Sequence, residues 1–557
     1  MIHGSRFAAF IFAAMIGAFA SIVPAQAKER RPNLLVIVAD DLGYSDLGAF
    51  GGEIRTPHLD KLALAGIRLA GFHTAPTCSP TRAMLLSGTD NHLAGLGTMA
   101  ELISANQRGK PGYEGYLRGD VATLAERLRS SGYRTLLSGK WHLGLTAAQD
   151  PRARGFERSF ALLQGGHNHF GTDADPDADP ATRGVATYRE DGKSVAHLPS
   201  GFYSSDAFAT RLIDFLGEQP AKGKSERPFF AYLAFTAPHW PLQAPAEDIA
   251  RYKGRYDEGF DILRERRLAK QRDLGILAPD VVAHTARNRD GSWDSLTAEQ
   301  QALAARNMEI YAAMVDRLDQ NVGRVIDALR ASGELDNTVI VFLADNGAEA
   351  LDAETTGAQM LAGSLKGADN SFANRGTASS YLTYGAGWAQ AATAPSWLTK
   401  GYHSEGGTRA VAFISGAGIE PRQGAATQYL SVADIAPTLL DLAGADPRVT
   451  KVGGRAVRPI TGRSWVDWLR RADARVYGAD DGIGAELFGS RAYRQGDWKL
   501  TDIGDGDWRL FNIARDPGET RDLSQIDPDR KAALAAAWDE YARRVGVILP
   551  AAVPYRP

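Results

Sequence analysis

Three stretches of the chain are unbroken apolar runs rich in β-branched and aromatic residues: Asn33–Ala39 (NLLVIVA), Pro228–Thr236 (PFFAYLAFT) and Thr338–Ala344 (TVIVFLA). A run without polar alternation reads as a strand buried on both faces, the habit of a parallel sheet. Each run ends sharply. The first stops at Asp40-Asp41, the third at Asp345-Asn346, and Ala237-Pro238-His239-Trp240-Pro241 follows the second. Between them the period shifts to that of a helix. Pro57–Gly66 (capped by Thr56), Asp120–Ser131 and Val432–Leu442 read as helices. The clearest spans Gln301 to Gly333, with Ile310, Met314, Leu318, Val322, Val325 and Leu329 on one face. A short strand is expected at Tyr133–Leu137, then a turn, Ser138–Gly144, in which Lys140 and His142 flank Trp141 and share a side if extended. Strands alternating with helices predict an α/β fold.

The rest of the pattern is less regular. Residues 164–200 are rich in Gly, Asp and Pro and read as a long surface loop, residues 246–300 as a charged helical excursion, and residues 348–397 as either a flexible stretch or a functional loop wall, whose Tyr381, Tyr384, Trp388 and Trp397 would line an aromatic-accepting pocket or serve as core or loop packing. From about Gly453 the chain alternates tryptophans with charged residues in hairpin fashion and closes in an Ala-rich helix near 530–545. The division expected is therefore a large α/β domain over 28–450 and a small α+β subdomain, with an antiparallel sheet, over 451–557.

Residues 1–27 fall outside that division. Arg6 precedes an apolar run from Ala8 to Val23, and Ala25-Gln26-Ala27 supplies a small-x-small cleavage pattern. This reads as a signal peptide, an uncleaved anchor being the alternative. It predicts a periplasmic or secreted protein, with no stable membrane insertion after cleavage. The 557 residues carry 63 basic and 66 acidic side chains, close to balance, and no basic stripe with interleaved aromatics, so nucleic-acid binding has no support. Cys78 is the sole cysteine. An exported chain with one cysteine relies on its core and not on internal disulfides.

Cys78 sits in HTAPTCSPTRAMLLSG, where Pro80 and Thr81 begin a helix. It thus lies at or just before a helix N-terminus, a position that favours anions and thiolates. Taken singly it reads as a buried small hydrophobe. His142 and His239 likewise read as packing or turn residues, Lys400 as a surface lysine and Arg82 as part of a first helical turn. Together they carry more. Asp40, Asp41, Asp345 and Asn346 are hard oxygen donors without a Cys/His cluster, a set suited to Ca²⁺ or Mg²⁺ and not to zinc. Arg82, Lys140, Lys400, His142 and His239 supply cationic or titratable partners. Grouped around Cys78, they describe a site for an anionic ester, sulfate or phosphate.

NLLVIVADDLGYSDLGAFGG, CSPTR, GKWHLG, FTAPHWP, LADNG and a lysine followed by EGG resemble, in that order, the type I sulfatases of the alkaline phosphatase superfamily. FHTAPTCSPTR, GKPGYEGYL, GFYSSDAF, WPLQAP and DPGE make the resemblance especially close to bacterial arylsulfatases of the Pseudomonas kind. The resemblance implies a large mixed, mostly parallel sheet flanked by helices, with a smaller C-terminal antiparallel sheet. It implies hydrolysis of a sulfate ester to an alcohol or phenol plus inorganic sulfate. Cys78 would be oxidised to formylglycine (3-oxoalanine) by a formylglycine-generating or sulfatase-maturating enzyme. Its hydrate would attack sulfur, giving a covalent sulfate hemiacetal. Asp40, Asp41, Asp345 and Asn346, with an oxygen of modified residue 78, would bind one Ca²⁺ ion. Arg82 and Lys140 would stabilise the ionised hydrate. Lys140, His239 and Lys400 would contact the small-molecule sulfate ester, and His142 would take the proton that releases sulfate. Relatives with two zinc ions offer Ser or Thr as nucleophile and Asp-His-Gly after the late strand; Asp345-Asn346-Gly347 departs from that pattern. A phosphonate-hydrolysing side activity stays open, as does a sulfate-ester- or calcium-binding protein that does not turn over because Cys78 is never converted.

Overall fold

The computed structural model describes Met1 and residues 30–218, 227–286, 291–355 and 361–555. The expected leader, Met1 aside, lies outside the described residues. The apolar runs form the middle of a ten-stranded sheet. Asn33–Ala39 lies between Thr338–Ala344 and Phe229–Ala234, parallel to both, with Val36 opposite Val341 on one side and Tyr232 on the other. Arg134–Lys140 and Arg158–Leu162 extend the parallel block beyond Phe229–Ala234. Antiparallel strands then flank it: Ala412–Gly416 on one side, Tyr188–Glu190 and Lys193–Ser194 on the other. The α/β, mixed and mostly parallel sheet is thus as expected. All residues of Asn33–Ala39, Thr338–Ala344 and Phe229–Ala234 are buried, so helices must cover both faces.

Several boundaries move for identifiable reasons. The strand expected at Tyr133–Leu137 runs Arg134–Lys140, so Lys140 is its last residue and not part of the turn. Polar Ser138 and Gly139 hid this: the Ser138 hydroxyl donates to the Phe208 carbonyl, and Gly139 fits because a Cβ there would lie 1.8 Å from the Ala234 carbonyl oxygen. The helix expected from Asp120 begins at Leu124, where Thr123 and Glu126 form a capping box. A second capping box, Thr297 with Gln300, starts the long helix at Ala298, and it ends at Ala331. The stretch 164–200 is not all surface loop, for it contributes the strand Tyr188–Glu190 and the edge strand Lys193–Ser194 and buries His167 and His169. In 246–300, helices span Ala246–Ala250 and Gly259–Asp273.

The C-terminal sheet is antiparallel, in the order Gly482–Leu487, Ser490–Gln495, Trp498–Asp502 and Arg509–Asn512, with helix Pro528–Val545 packed on it. From Arg31 onward the chain packs as one compact unit. Buried ion pairs tie this sheet to the rest: Lys499 Nζ lies 2.9 Å from both Glu405 and Glu519. Among the described residues no helix is long and apolar enough to cross a membrane.

Candidate functional site

The carboxyl ends of four parallel strands meet at one sheet edge, and each delivers chemistry there. Asn33–Ala39 is followed by Asp40 and Asp41, Thr338–Ala344 by Asp345 and Asn346, Phe229–Ala234 by the loop bearing His239, and Arg134–Lys140 ends in Lys140. Asp41 takes a left-handed backbone, φ 64°, as the chain turns out of the sheet. Opposite this edge, helix Cys78–Ser87 begins at Cys78.

Cys78 Sγ lies 3.4 Å from Asp40 Oδ1. Burial, reinforced by the Asp40 charge, pushes the thiol well above its ordinary pKa. Lys140 Nζ donates to Asp40 Oδ2 at 2.6 Å. Arg82, fully buried, donates through Nε to Asp345 Oδ2 at 2.9 Å and through Nη1 to the Lys140 carbonyl at 3.1 Å. Arg82 is therefore a site cation and not merely first-turn grammar. Lys400 Nζ lies 2.8 Å from Asp41 and 3.3 Å from Glu349. Asn346 Nδ2 donates to Asp41 Oδ1 at 2.6 Å. His239 Nε2 lies 3.7 Å from Asp41 Oδ2, and its Nδ1 meets the Trp240 carbonyl at 2.6 Å.

The charges sort themselves by neighbours. Burial alone would raise Asp41, but Lys400, His239 and the hydrogen bonds from Lys400 and Asn346 hold it below the usual carboxylate range. Burial and the adjacent Asp40 charge raise Asp345 despite Arg82. Burial opposes the charged forms of Lys140 and Lys400, yet Asp40 in the first case and Asp41 in the second outweigh it and keep both protonated. Burial pushes His239 well down, so its imidazole is neutral, with Nδ1–H committed to Trp240 and Nε2 open as an acceptor.

His142 is the outlying member. Its φ is 57°, so the strand-like alternation with Lys140 does not hold. The ring still turns inward: Nε2 meets Glu101 Oε1 at 2.8 Å, and Nδ1 is buried without a hydrogen-bond partner. Two glycines make room for the imidazoles. A Cβ on Gly165 would stand 2.4 Å from the His142 ring, and one on Gly166 would stand 3.3 Å from the His239 ring.

The residues expected at the site thus lie at one sheet edge, on its bordering loops, or, for Cys78 and Arg82, on the helix facing it. Four of them, Asp40, Asp41, Cys78 and His239, bring potential ligand atoms within 4.8 Å of one another. Sequence reasoning missed Glu101, Glu349, Gly165 and Gly166. Of the aromatic wall, Tyr384 lines a small cavity beside Asp41 and Glu349, together with Trp240 of the His239 loop, and Tyr381 packs 5.9 Å from Trp240. Trp388 is instead core, packed among Tyr256, Phe260 and Trp293, and Trp397 stacks on His284.

A buried edge where carboxylates and cations alternate around one nucleophile-capable position is suited to an anionic ester. The sulfatase family model matches residues 32–445. The chain belongs to the sulfatase family. It is a sulfuric ester hydrolase, a type I sulfatase of the alkaline phosphatase superfamily. An uncharacterized sulfatase of Schizosaccharomyces pombe is 46% identical over 538 residues, covering 94% of this chain and 95% of that protein. An arylsulfatase of Klebsiella aerogenes is 40% identical over 446 residues, covering 79% of this chain and 92% of that one. In fold, this sulfatase is similar to the crystal structure of Ps i-CgsB in complex with k-i-k-neocarrahexaose, with TM-score 0.64, 23% identity and coverage of 92% and 93% of the two chains.

Proposed function

We propose that this sulfatase is an exported arylsulfatase that works with one calcium ion and with formylglycine made from Cys78 by a maturation enzyme. The observation that carries the proposal is the setting of Cys78. Its thiol is buried beside a carboxylate and held protonated, which makes it a poor nucleophile as it stands. Oxidised to an aldehyde hydrate, residue 78 supplies two hydroxyls: one to attack sulfur, the other to lose a proton as sulfate departs.

The donor set fits calcium. Asp40, Asp41, Asp345 and Asn346 offer hard oxygens, and the buried Asn346 Oδ1 has no hydrogen-bond partner. A calcium ion held by these donors would supply Lewis-acid stabilisation of charge on the sulfuryl oxygens. Arg82 and Lys140 offset the carboxylates next to residue 78 and favour an ionised oxygen there. Lys400 has an ammonium proton to spare for a substrate oxygen once Asp41 and Glu349 are met. His239 approaches the same region through Nε2 and serves the leaving oxygen once protonated. At His142, Glu101 accepts the Nε2–H, which leaves the Nδ1 lone pair as the base.

Mass spectrometry of the peptide containing Cys78, from protein made in its native host, tests the reading. The expected result is an aldehyde at residue 78, with Cys78→Ala folded but inactive. A thiol in every molecule together with full activity on aryl sulfates would overturn it. A periplasmic or secreted location rests on the leader pattern in residues 1–27, and cell fractionation checks it.

A further inference from the structure

Lys400 is held from behind as well as from the site. Glu349, buried, receives the Leu351 N–H on Oε1 at 2.9 Å and presents Oε2 to Lys400 Nζ at 3.3 Å. The Tyr555 hydroxyl also donates to Glu349 Oε1. Tyr555 arrives there on an irregular segment, residues 547–555, that follows the last helix. Several polar contacts anchor the segment to the loop that carries Glu101: Ile548 N–H donates to the Tyr113 hydroxyl at 2.8 Å, Gln107 donates to the Ile548 carbonyl at 2.7 Å, and Asn106 donates to the Leu549 carbonyl at 2.8 Å. The Tyr555 ring packs 5.9 Å from Phe488.

We infer that Tyr555 and Glu349 are positioning residues that set the place and effective charge of Lys400, and so the affinity of the site for the sulfate group. The inference rests on the reading of Lys400 as a sulfate contact. A carboxylate that shares its density with a phenol donor steers a neighbouring ammonium without neutralising it. Burial and the Glu349 charge keep the Tyr555 phenol protonated, hence a donor. Without that donor, Glu349 has more charge to place on Lys400 and competes with the substrate anion. The segment 547–555 also joins the loop bearing the His142 partner, Glu101, to the Lys400 partner, Glu349, so both flanks of the site share one brace.

The test compares Tyr555→Phe, Glu349→Gln and the double variant, all full-length with conversion of Cys78 verified, using an aryl sulfate as substrate and inorganic sulfate as competitive inhibitor. The substrate anion feels the Tyr555–Glu349 bond only through Lys400, so its loss is expected to change affinity by roughly two- to tenfold, the scale of one ordinary net hydrogen bond. Tyr555→Phe is expected to raise KM and the inhibition constant of sulfate by about that factor, with kcat changed by less than about twofold and an unchanged melting temperature. In the Glu349→Gln background the same change should do nothing to either constant. Wild-type KM and sulfate inhibition in Tyr555→Phe, or an equal effect in both backgrounds, would overturn the inference. If instead the wild-type enzyme turned over but sulfate did not inhibit it, the assignment of Lys400 to the sulfate group would fall, and this inference with it.

Discussion

The helix that begins at Cys78 is braced at its far end by a buried ion cluster, and that cluster makes stability depend on alkaline pH. Helix Cys78–Ser87 leads to Asp90, which caps the next helix by accepting from the His92 and Leu93 N–H groups. The His92 ring lies between two carboxylates, 3.4 Å from Asp90 and 3.1 Å from Glu486 of the C-terminal sheet. Tyr541 of the last helix donates to Asp90 at 2.8 Å, and the Tyr113 ring stands edge-on to His92. Burial alone would favour neutral imidazole, but the hydrogen bonds and charges of Asp90 and Glu486 outweigh it and raise His92 from 6.5 to about 9. A raised pKa means stability that is fully present below about pH 6.5 and is lost as pH climbs through about 9. At about 1.4 kcal/mol per pH unit, the interval corresponds to about 3 kcal/mol. Urea unfolding of wild type and His92→Gln, followed by tryptophan fluorescence at about pH 6 and about pH 10, isolates the cluster built on His92, because titrating groups remote from it cancel between the two proteins. The stability gap should narrow by about 3 kcal/mol between those values. A gap independent of pH would refute the reasoning.

Arg82→Met leaves Asp345 without its buried cation and should cost about 3–5 kcal/mol in denaturant unfolding, along with activity; a loss under about 1 kcal/mol would contradict the pairing. Exhaustive chelation should lower both turnover and the unfolding midpoint, with recovery on adding calcium; full activity in the chelated enzyme would exclude the metal assignment. Gly165→Ala places a methyl group against the His142 ring, so kcat should fall by on the order of a hundredfold with little change in melting temperature. Wild-type kcat in that variant would remove His142 from the chemistry.

The site edge was legible because each buried strand announces its own end. In Asn33–Ala39 and Thr338–Ala344 every residue is apolar or buried in the sheet, and the first carboxylates after them must lie where the strands leave it. By pattern alone Lys140 reads as a turn residue, because Ser138 and Gly139 break the apolar run. Yet those two residues are set by their neighbours across the sheet, one by a carbonyl to bond and the other by a carbonyl too close for a Cβ. Glu101 and Glu349 left no such trace. Each works through tertiary contacts, Glu101 with His142 and Glu349 with Lys400 and Tyr555, from a stretch without periodicity. Asp40 and Asp41 matter as a pair at a strand end, which a linear pattern can carry. Glu349 matters because Lys400, fifty-one positions later, returns to within 3.3 Å of it and Tyr555 meets it from the chain's end. The residues expected to touch the substrate therefore follow from strand ends and motif, whereas those that orient them follow from which loops the fold brings alongside.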